Sequence, residues 1–256
     1  LKSRPQNLNY MFKKGIVFSK ITSAGSSCRV MTGSEMFDDA VQGIFVEDSE
    51  FSTEYLLAVL NSPVIAEYLK IINPTLNKQI NDLERIPILK SNRFEWIVEE
   101  TQKLINISKE EWDESETSWN FKYNPLIDKR LNLLKDAFES YIKSVEERLR
   151  LLTKIEKDIN LELLELYDME TDVADINVSN ITYRHDEMAK SFLSYFIGCV
   201  TGRYSLDVEG LAYAGGEFDE SKYKTFKPNP NGLILLTGDH YFENDIIVRL
   251  REFLSV

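Results

Sequence analysis

One apolar stripe constrains this chain more than any other feature. Leu131, Leu134, Phe138, Tyr141, Val145, Leu152, Ile155, Ile159 and Leu166 step by threes and fours, and Arg148 breaks the seam once. Side chains at those intervals share one face of an α-helix. The spacing predicts a long helix of coiled-coil or spacer type, whose narrow stripe packs on the rest of the chain or on a partner.

The segments before the rod are of mixed character. Gly15–Ile21 is β-branched and aromatic with partial alternation, and Thr22–Ser26 has turn composition. Cys28-Arg29-Val30 reads as the return strand and Gly43–Val46 as a third. Two short helices follow. Thr53 is placed to cap the first, with Leu56, Leu57 and Leu60 on one face. Ser62-Pro63 opens the second, which sets Val64, Ile65, Tyr68, Leu69 and Ile72 on one side and stops at Asn73-Pro74. Phe94 to Ile105 again has helical spacing, and the acidic residues 109–116 close that helix or form a loop.

Beyond the rod, residues 170–182 are acidic and irregular, as in a linker. Asp186–Val200 is apolar nearly all round, the pattern of a buried helix, with Gly198 allowing close packing and Gly202 ending it. Ile246, Ile247, Leu250, Phe253 and Leu254 make a last amphipathic helix. The fold class is therefore α+β: a small mixed α/β module, a long spacer helix, and a mainly helical C-terminal region.

Composition narrows the function classes. No apolar run reaches the roughly 18 residues of a membrane span, so no membrane partner is expected. Cys28 and Cys199 sit among apolar neighbours and are too few for a disulfide framework; a reducing, cytoplasmic location is expected. The chain opens at Leu1 in a polar segment without a secretory signal, as a piece of a longer protein would. The net charge of -12 argues at first against a nucleic-acid partner. Its distribution does not. Residues 1–30 hold Lys2, Arg4, Lys13, Lys14, Lys20 and Arg29 and no acid, whereas residues 31–60 hold seven carboxylates and no base. A phosphate backbone responds to the local patch and not to the sum.

The chain shows no self-contained catalytic constellation. Its two histidines, His185 and His240, are far apart, there is no Cys-x-x-Cys, and no metal site is expected. Cys199 reads as a small core residue with no histidine partner. Neither phosphate-cradling glycine pattern occurs. What remains is nucleic-acid chemistry: Lys13, Lys14, Lys20 and Arg29 around a Thr/Ser-rich turn, with Tyr10, Phe12 and Phe18 interleaved, and a second polar stretch at Thr75–Gln79. Lys and Arg neutralise phosphates; Ser, Thr, Asn and Gln read base edges.

Several motifs resemble a known family. Lys13–Ile21 is similar to the opening of the target-recognition domain of amino-type, adenine-specific DNA methyltransferases, and Tyr55–Ser62 resembles their Leu-Leu-x-x-Leu-Asn-Ser hallmark. Asn73-Pro74-Thr75 through Ile86-Pro87-Ile88 resembles the closing segment of that domain, which implies a short strand at 86–88 and a spacer helix at 94–108. Glu111–Phe121, Ser194–Leu206 and Tyr241–Ile247 narrow the resemblance to the C-terminal half of the PglX family, the methyltransferases of BREX phage-defence systems.

The resemblance implies methyl transfer from S-adenosylmethionine to the exocyclic N6 of a flipped adenine. It also implies a catalytic [DNS]PP[YF] signature, which this chain lacks: Asn73-Pro74-Thr75-Leu76 has neither the second proline nor the aromatic. The catalytic domain and its S-adenosylmethionine are thus expected upstream, with no cofactor in this chain. Three regions are expected: DNA target recognition in 1–90, helical spacer in 91–170, and the mainly helical C-terminal region in 171–256. The expected DNA-binding residues are Lys13, Lys14, Lys20 and Arg29 for phosphates, with Ser19, Thr22, Ser23, Asn77, Lys78 and Gln79 for bases or backbone. Double-stranded DNA, the upstream methyltransferase domain and other defence proteins are the expected partners. The alternatives are the specificity region of a type IIG restriction-modification enzyme and a protein-docking scaffold. Arg203 and Tyr204 read as a helix-end salt bridge and a packed ring, or as residues serving the catalytic domain.

Overall fold

The computed structural model describes residues 7–21, 27–38, 40–47, 50–75, 77–127, 131, 133–169, 185–237 and 241–256. Among them are one three-stranded antiparallel sheet and seven α-helices, the shortest being α3 (Ile80–Leu83), so the chain is α+β. Two compact units are present. One takes in Leu1–Ile107 and Arg150–Asn180, the other Ser108–Leu149 and Ile181–Val256. The long helices α4 (Phe94–Asp113) and α5 (Leu134–Leu166) each contribute to both units, so segments distant in sequence share a core. The linker expected at 170–182 lies outside the described residues.

In the first unit, β1 (Lys14–Ser19) is the central strand, between β2 (Cys28–Thr32) and β3 (Val41–Ile44). Val17 lies opposite Arg29 and Gly43, and Ile16 opposite Val30 and Ile44. Alternation sends Ile16 and Phe18 inward with Cys28, against Leu57 and Leu60. The third strand stops at Ile44 and not at Val46 as expected. Just past its end the Phe45 ring covers the outer face: a Cβ on Gly15 or Gly43 would lie 2.9 Å from it. Tyr10 and Phe37 pack on the same ring, with centroids 4.8 and 5.5 Å away.

The helix α1 (Thr53–Asn61) is capped by Ser52, whose hydroxyl accepts from Tyr55 N at 3.1 Å; the expected cap, Thr53, is its first helical residue. The helix α2 (Pro63–Ile72) starts at its proline as expected. The Ser62 hydroxyl donates back to Val59 O at 2.6 Å, in the last turn of α1, and caps no N–H of α2. Asn61 explains the end of the Leu-Asn-Ser segment. Its side chain accepts from Cys28 N at 2.7 Å and donates to Cys28 O at 3.1 Å. One amide thus satisfies both backbone groups of a residue in an edge strand.

The strand implied at 86–88 is not formed. Pro87 has no N–H for a ladder. Two tyrosines hold this stretch instead. The Tyr55 hydroxyl donates to Leu89 O at 2.7 Å and accepts from Ser91 N at 2.9 Å; that of Tyr167 donates to Pro87 O at 2.9 Å and accepts from Leu89 N at 3.0 Å. Beneath them, Tyr55, Val59, Val64, Ile65 and Ile97 pack with Ile155, Ile159 and Leu163 from the C-terminal part of α5. Among the described residues no single helix is long and apolar enough to cross a membrane. The bent pair α1–α2 has that composition because it forms this core.

In the second unit, the break in the stripe has a partner. Arg148 donates to both oxygens of Glu114 at 2.7 and 3.0 Å, and Tyr141 donates to the same carboxylate at 2.6 Å. The helix α6 (His185–Thr201) buries Phe192, Tyr195, Phe196, Cys199 and Val200 against Tyr204, Phe226 and Phe253 of α7 (Ile246–Phe253). It is not buried all round as expected, since Leu193 and Ile197 are each 44% exposed. Gly198 is required where it stands: a Cβ would meet the Tyr204 ring at 2.3 Å. Gly202 ends the helix at φ +84.

Candidate nucleic-acid interface

The candidate residues fall at two ends of β1, separated by its six residues, or about 17 Å of strand. At the Ser19 end, two segments are stitched together. Lys78 N donates to Lys20 O at 2.8 Å, and Ile21 forms an antiparallel bridge with Asn77. Ser19, Lys20, Asn77, Lys78 and Gln79 therefore gather in one place. A single residue builds the second segment. Asn73 Oδ1 accepts from Thr75 N at 3.0 Å and Thr75 Oγ1 at 2.6 Å, and its Nδ2 donates to Asn77 O at 2.9 Å and Asp82 Oδ2 at 2.7 Å. The Lys78 ammonium donates to Asn73 O, and Gln79 N donates to Asp82 Oδ2 at 2.9 Å. The Asn-Pro-Thr sequence is a loop organiser. The hydrogen bond of Lys78 thus goes to a neutral group, while its charge acts on the nearby Asp82 and, behind the bond from Asn73, helps lower that carboxyl's pKa.

The Lys14 end differs. Lys14 has the same parity as Ile16 and Phe18, so it points inward and meets Glu54 at 2.5 Å. Burial alone would raise the Glu54 pKa, but the hydrogen bond and charge of Lys14 help hold it below the usual carboxylate range. The charge of Lys14 is thus offset within the protein. Lys13 lies on the outer side with its ammonium 5.3 Å from the Tyr10 ring, and it retains its charge. Arg29 is exposed on the outer face opposite Val17 and has no ion-pair partner among the described residues. Thr22 and Ser23 lie outside the described residues.

Sequence reasoning missed Asn73 and Glu54. The Asn-Pro-Thr pattern signals an Asx-turn and would have found the first. Nothing local points from Lys14 to a carboxylate forty residues away.

Among the described residues no group of His, Cys, Asp or Glu is placed to hold a metal ion. Burial pushes the Cys28 and Cys199 thiols up to about 12, which removes both as nucleophiles. Tyr204 stacks on Tyr195 with centroids 5.1 Å apart, as a packed ring. Arg203 lies over that ring at 5.3 Å, a cation–π contact in place of the expected salt bridge. The Gly-Cys-x-x-Gly-Arg-Tyr-Ser-Leu stretch is therefore a helix terminus folded back on itself.

No family model matches the chain. Proteins of known name do. Their class is adenine-specific methyltransferases, and the similarity runs along the whole of this chain. The chain is 35% identical over 268 aligned residues to the adenine-specific methyltransferase PglX of Lacticaseibacillus casei (strain Zhang), with 100% of it covered. It is 32% identical over 281 residues to the adenine-specific methyltransferase BrxX of Escherichia coli O9:H4 (strain HS), with 99% covered. These alignments take in 22% and 23% of the two relatives, so the chain spans about a fifth of their length. By sequence it corresponds, end to end, to a segment of PglX-like proteins.

Proposed function

We propose that this chain is the DNA target-recognition region of a site-specific adenine-N6 DNA methyltransferase of a bacterial phage-defence system. The catalytic domain and its S-adenosylmethionine belong, in this reading, to another part of the same protein. One observation carries it. In a segment similar throughout to adenine-specific methyltransferases, Ser19, Lys20, Asn77, Lys78 and Gln79 converge on one end of a sheet. Hydroxyl and amide side chains there can read base edges, while Lys20, Lys78 and the outward Arg29 meet phosphates.

The test uses the full-length protein and duplex DNA across a salt series. Removing one phosphate-neutralising side chain should lower the slope of log affinity against log salt by about 0.9. Lys20→Ala, Lys78→Ala and Arg29→Ala are expected to flatten it, and Lys14→Met to leave it unchanged. Unaltered affinity and slope in all the first three would sink the assignment.

A second reading, protein docking by the helical unit, is favoured by Trp119. Its side chain is fully exposed, while the loop bearing it is locked by Ser118 Oγ and Asn120 Nδ2 on Asp113, at 2.6 and 3.4 Å. A rigidly displayed indole suits a protein contact. Trp119→Ala is then expected to reduce recovery of co-encoded defence proteins with the full-length protein; undiminished recovery removes this reading.

A further inference from the structure

The Lys14 end of β1 presents an apolar corner. Leu8, Phe12 and Met36 are 61, 60 and 62% exposed. Backbone bonds bring them together: Met11 N donates to Leu8 O, and Phe12 N donates to Glu35 O, each at 3.3 Å. The turn at 8–12 is thereby tied to the residue preceding Met36.

The corner is also stiff. Phe12 sits at φ +58, a left-handed conformation unfavourable for a residue with a Cβ. Tyr10 anchors the turn by packing on Phe45 and donating to Glu47 Oε1 at 2.6 Å. Glu35 braces the other side, accepting from the backbone of Thr32, Gly33 and Ser34 at 2.9–3.1 Å. Strain held this firmly displays Phe12 instead of letting it fold away.

The charge here does not suit DNA. Lys14 is offset by Glu54, and the carboxylates of Glu35 and Glu47 lie at this end beside Lys13. An apolar patch with a polar rim suits a protein surface. The relatives extend far beyond the matched segment. A region that selects a site must also be held in a fixed place relative to the group that transfers the methyl, or reading the sequence would not decide which adenine is modified.

We propose that Leu8, Phe12 and Met36 form the joint through which this region docks on the catalytic part of the same methyltransferase. The proposal rests on the function proposed above. It makes β1 a strut, with DNA read at one end and catalysis coupled at the other.

Peroxide oxidation of Met36 in the full-length protein, followed by peptide mass spectrometry, tests the joint. Susceptibility follows exposure, so Met36 is expected to oxidise about ten-fold slower than free methionine in the wild type, and near the free rate in Phe12→Ser. Phe12→Ser should retain DNA affinity while methylation falls about a hundred-fold, the order expected from misplacing reacting groups by about 1 Å. Met36→Gln should reproduce that split. Oxidation of wild-type Met36 at the free rate would overturn the joint. So would protection that appears only when duplex is added, or only as protein concentration rises, since DNA or a second copy would then be the cover. A protein that protects Met36 without binding duplex would remove the proposed function and leave the joint standing.

Discussion

At the Ser19 end of β1 hydroxyl, amide and ammonium groups gather beside the exposed Ile21; at the Lys14 end exposed rings and aliphatic chains gather beside Lys13 and Glu35. One strand of six residues carries both. At the first end, the hydrogen bond of Lys78 goes to a neutral carbonyl, with Asp82 near enough to feel its charge. At the second, Lys14 is consumed by Glu54. Counting basic residues therefore misjudges both ends. What matters is whether a cation's hydrogen-bond partner is itself charged.

The largest effect is expected where the two ends share a support. Asn61→Ala removes the only side chain described as bonding both backbone groups of Cys28. Leaving a buried donor and acceptor unpaired should cost about 3 kcal/mol, read by thermal or urea denaturation. Both ends should suffer together, losing DNA affinity and the protection of Met36 in parallel. Loss at only one end would mean that the strand is not a rigid strut.

A smaller effect separates the two ends. Lys14→Met leaves the buried Glu54 carboxylate without its cation, bonded still by Ser52 and its own backbone N–H; with Lys14 half-exposed, the expected cost is about 1 kcal/mol at neutral pH. The pH dependence fixes the cause. In the wild type the Glu54 pKa is lowered on folding, so its contribution is present above the unfolded value and is lost as pH falls through the folded value. In Lys14→Met the pull of the lysine is gone and burial acts against the charge. The stability difference between the two proteins should then grow from pH 3 to pH 7 in urea titrations. A difference independent of pH would show that Lys14 acts by packing of its stem.

What could be read beforehand follows from range along the chain. The stripe on α5 is a local period, and Val145, Leu152, Ile155 and Ile159 are buried as spaced. Leu134, at its start, is 40% exposed, because a period says which side chains share a face and not how far the neighbouring core extends. The inward direction of Lys14 was readable from its parity with Ile16 and Phe18, but its partner was not. Likewise Asn73-Pro74-Thr75 announces a turn, whereas its place beside Lys20 depends on a pairing between residues 21 and 77. The missing strand at 86–88 depends on Pro87 and on Tyr167, just past the end of α5 and about eighty residues further along.

Salt dependence measures the comparison without disturbing the fold. Arg29→Ala and Lys20→Ala should each lower the salt slope by about 0.9 with little change in stability. The double variant should lower it by about twice as much, since the two side chains act independently. A slope that falls with Lys14→Met as well would place phosphate along the whole strand and erase the distinction between its ends.

The smallest effect is expected from Glu35→Gln. The Glu35 carboxylate caps the turn after β2, accepting from three backbone N–H groups and from the Thr32 hydroxyl. Its exposed position costs it some desolvation, but these bonds outweigh that and lower its pKa. Glutamine keeps one acceptor oxygen and loses the charge, so the turn should loosen by less than about 1 kcal/mol, screened as it is by water. The sign with pH is that of a depressed carboxylate: the wild-type advantage is present above the ordinary glutamate range and vanishes in acid. The DNA salt slope is the sharper reading. Were Glu35 near the duplex, removing a negative charge would strengthen binding and alter that slope. Because Phe12 N is bonded to Glu35 O, this carboxylate belongs to the apolar end, and the slope should not move.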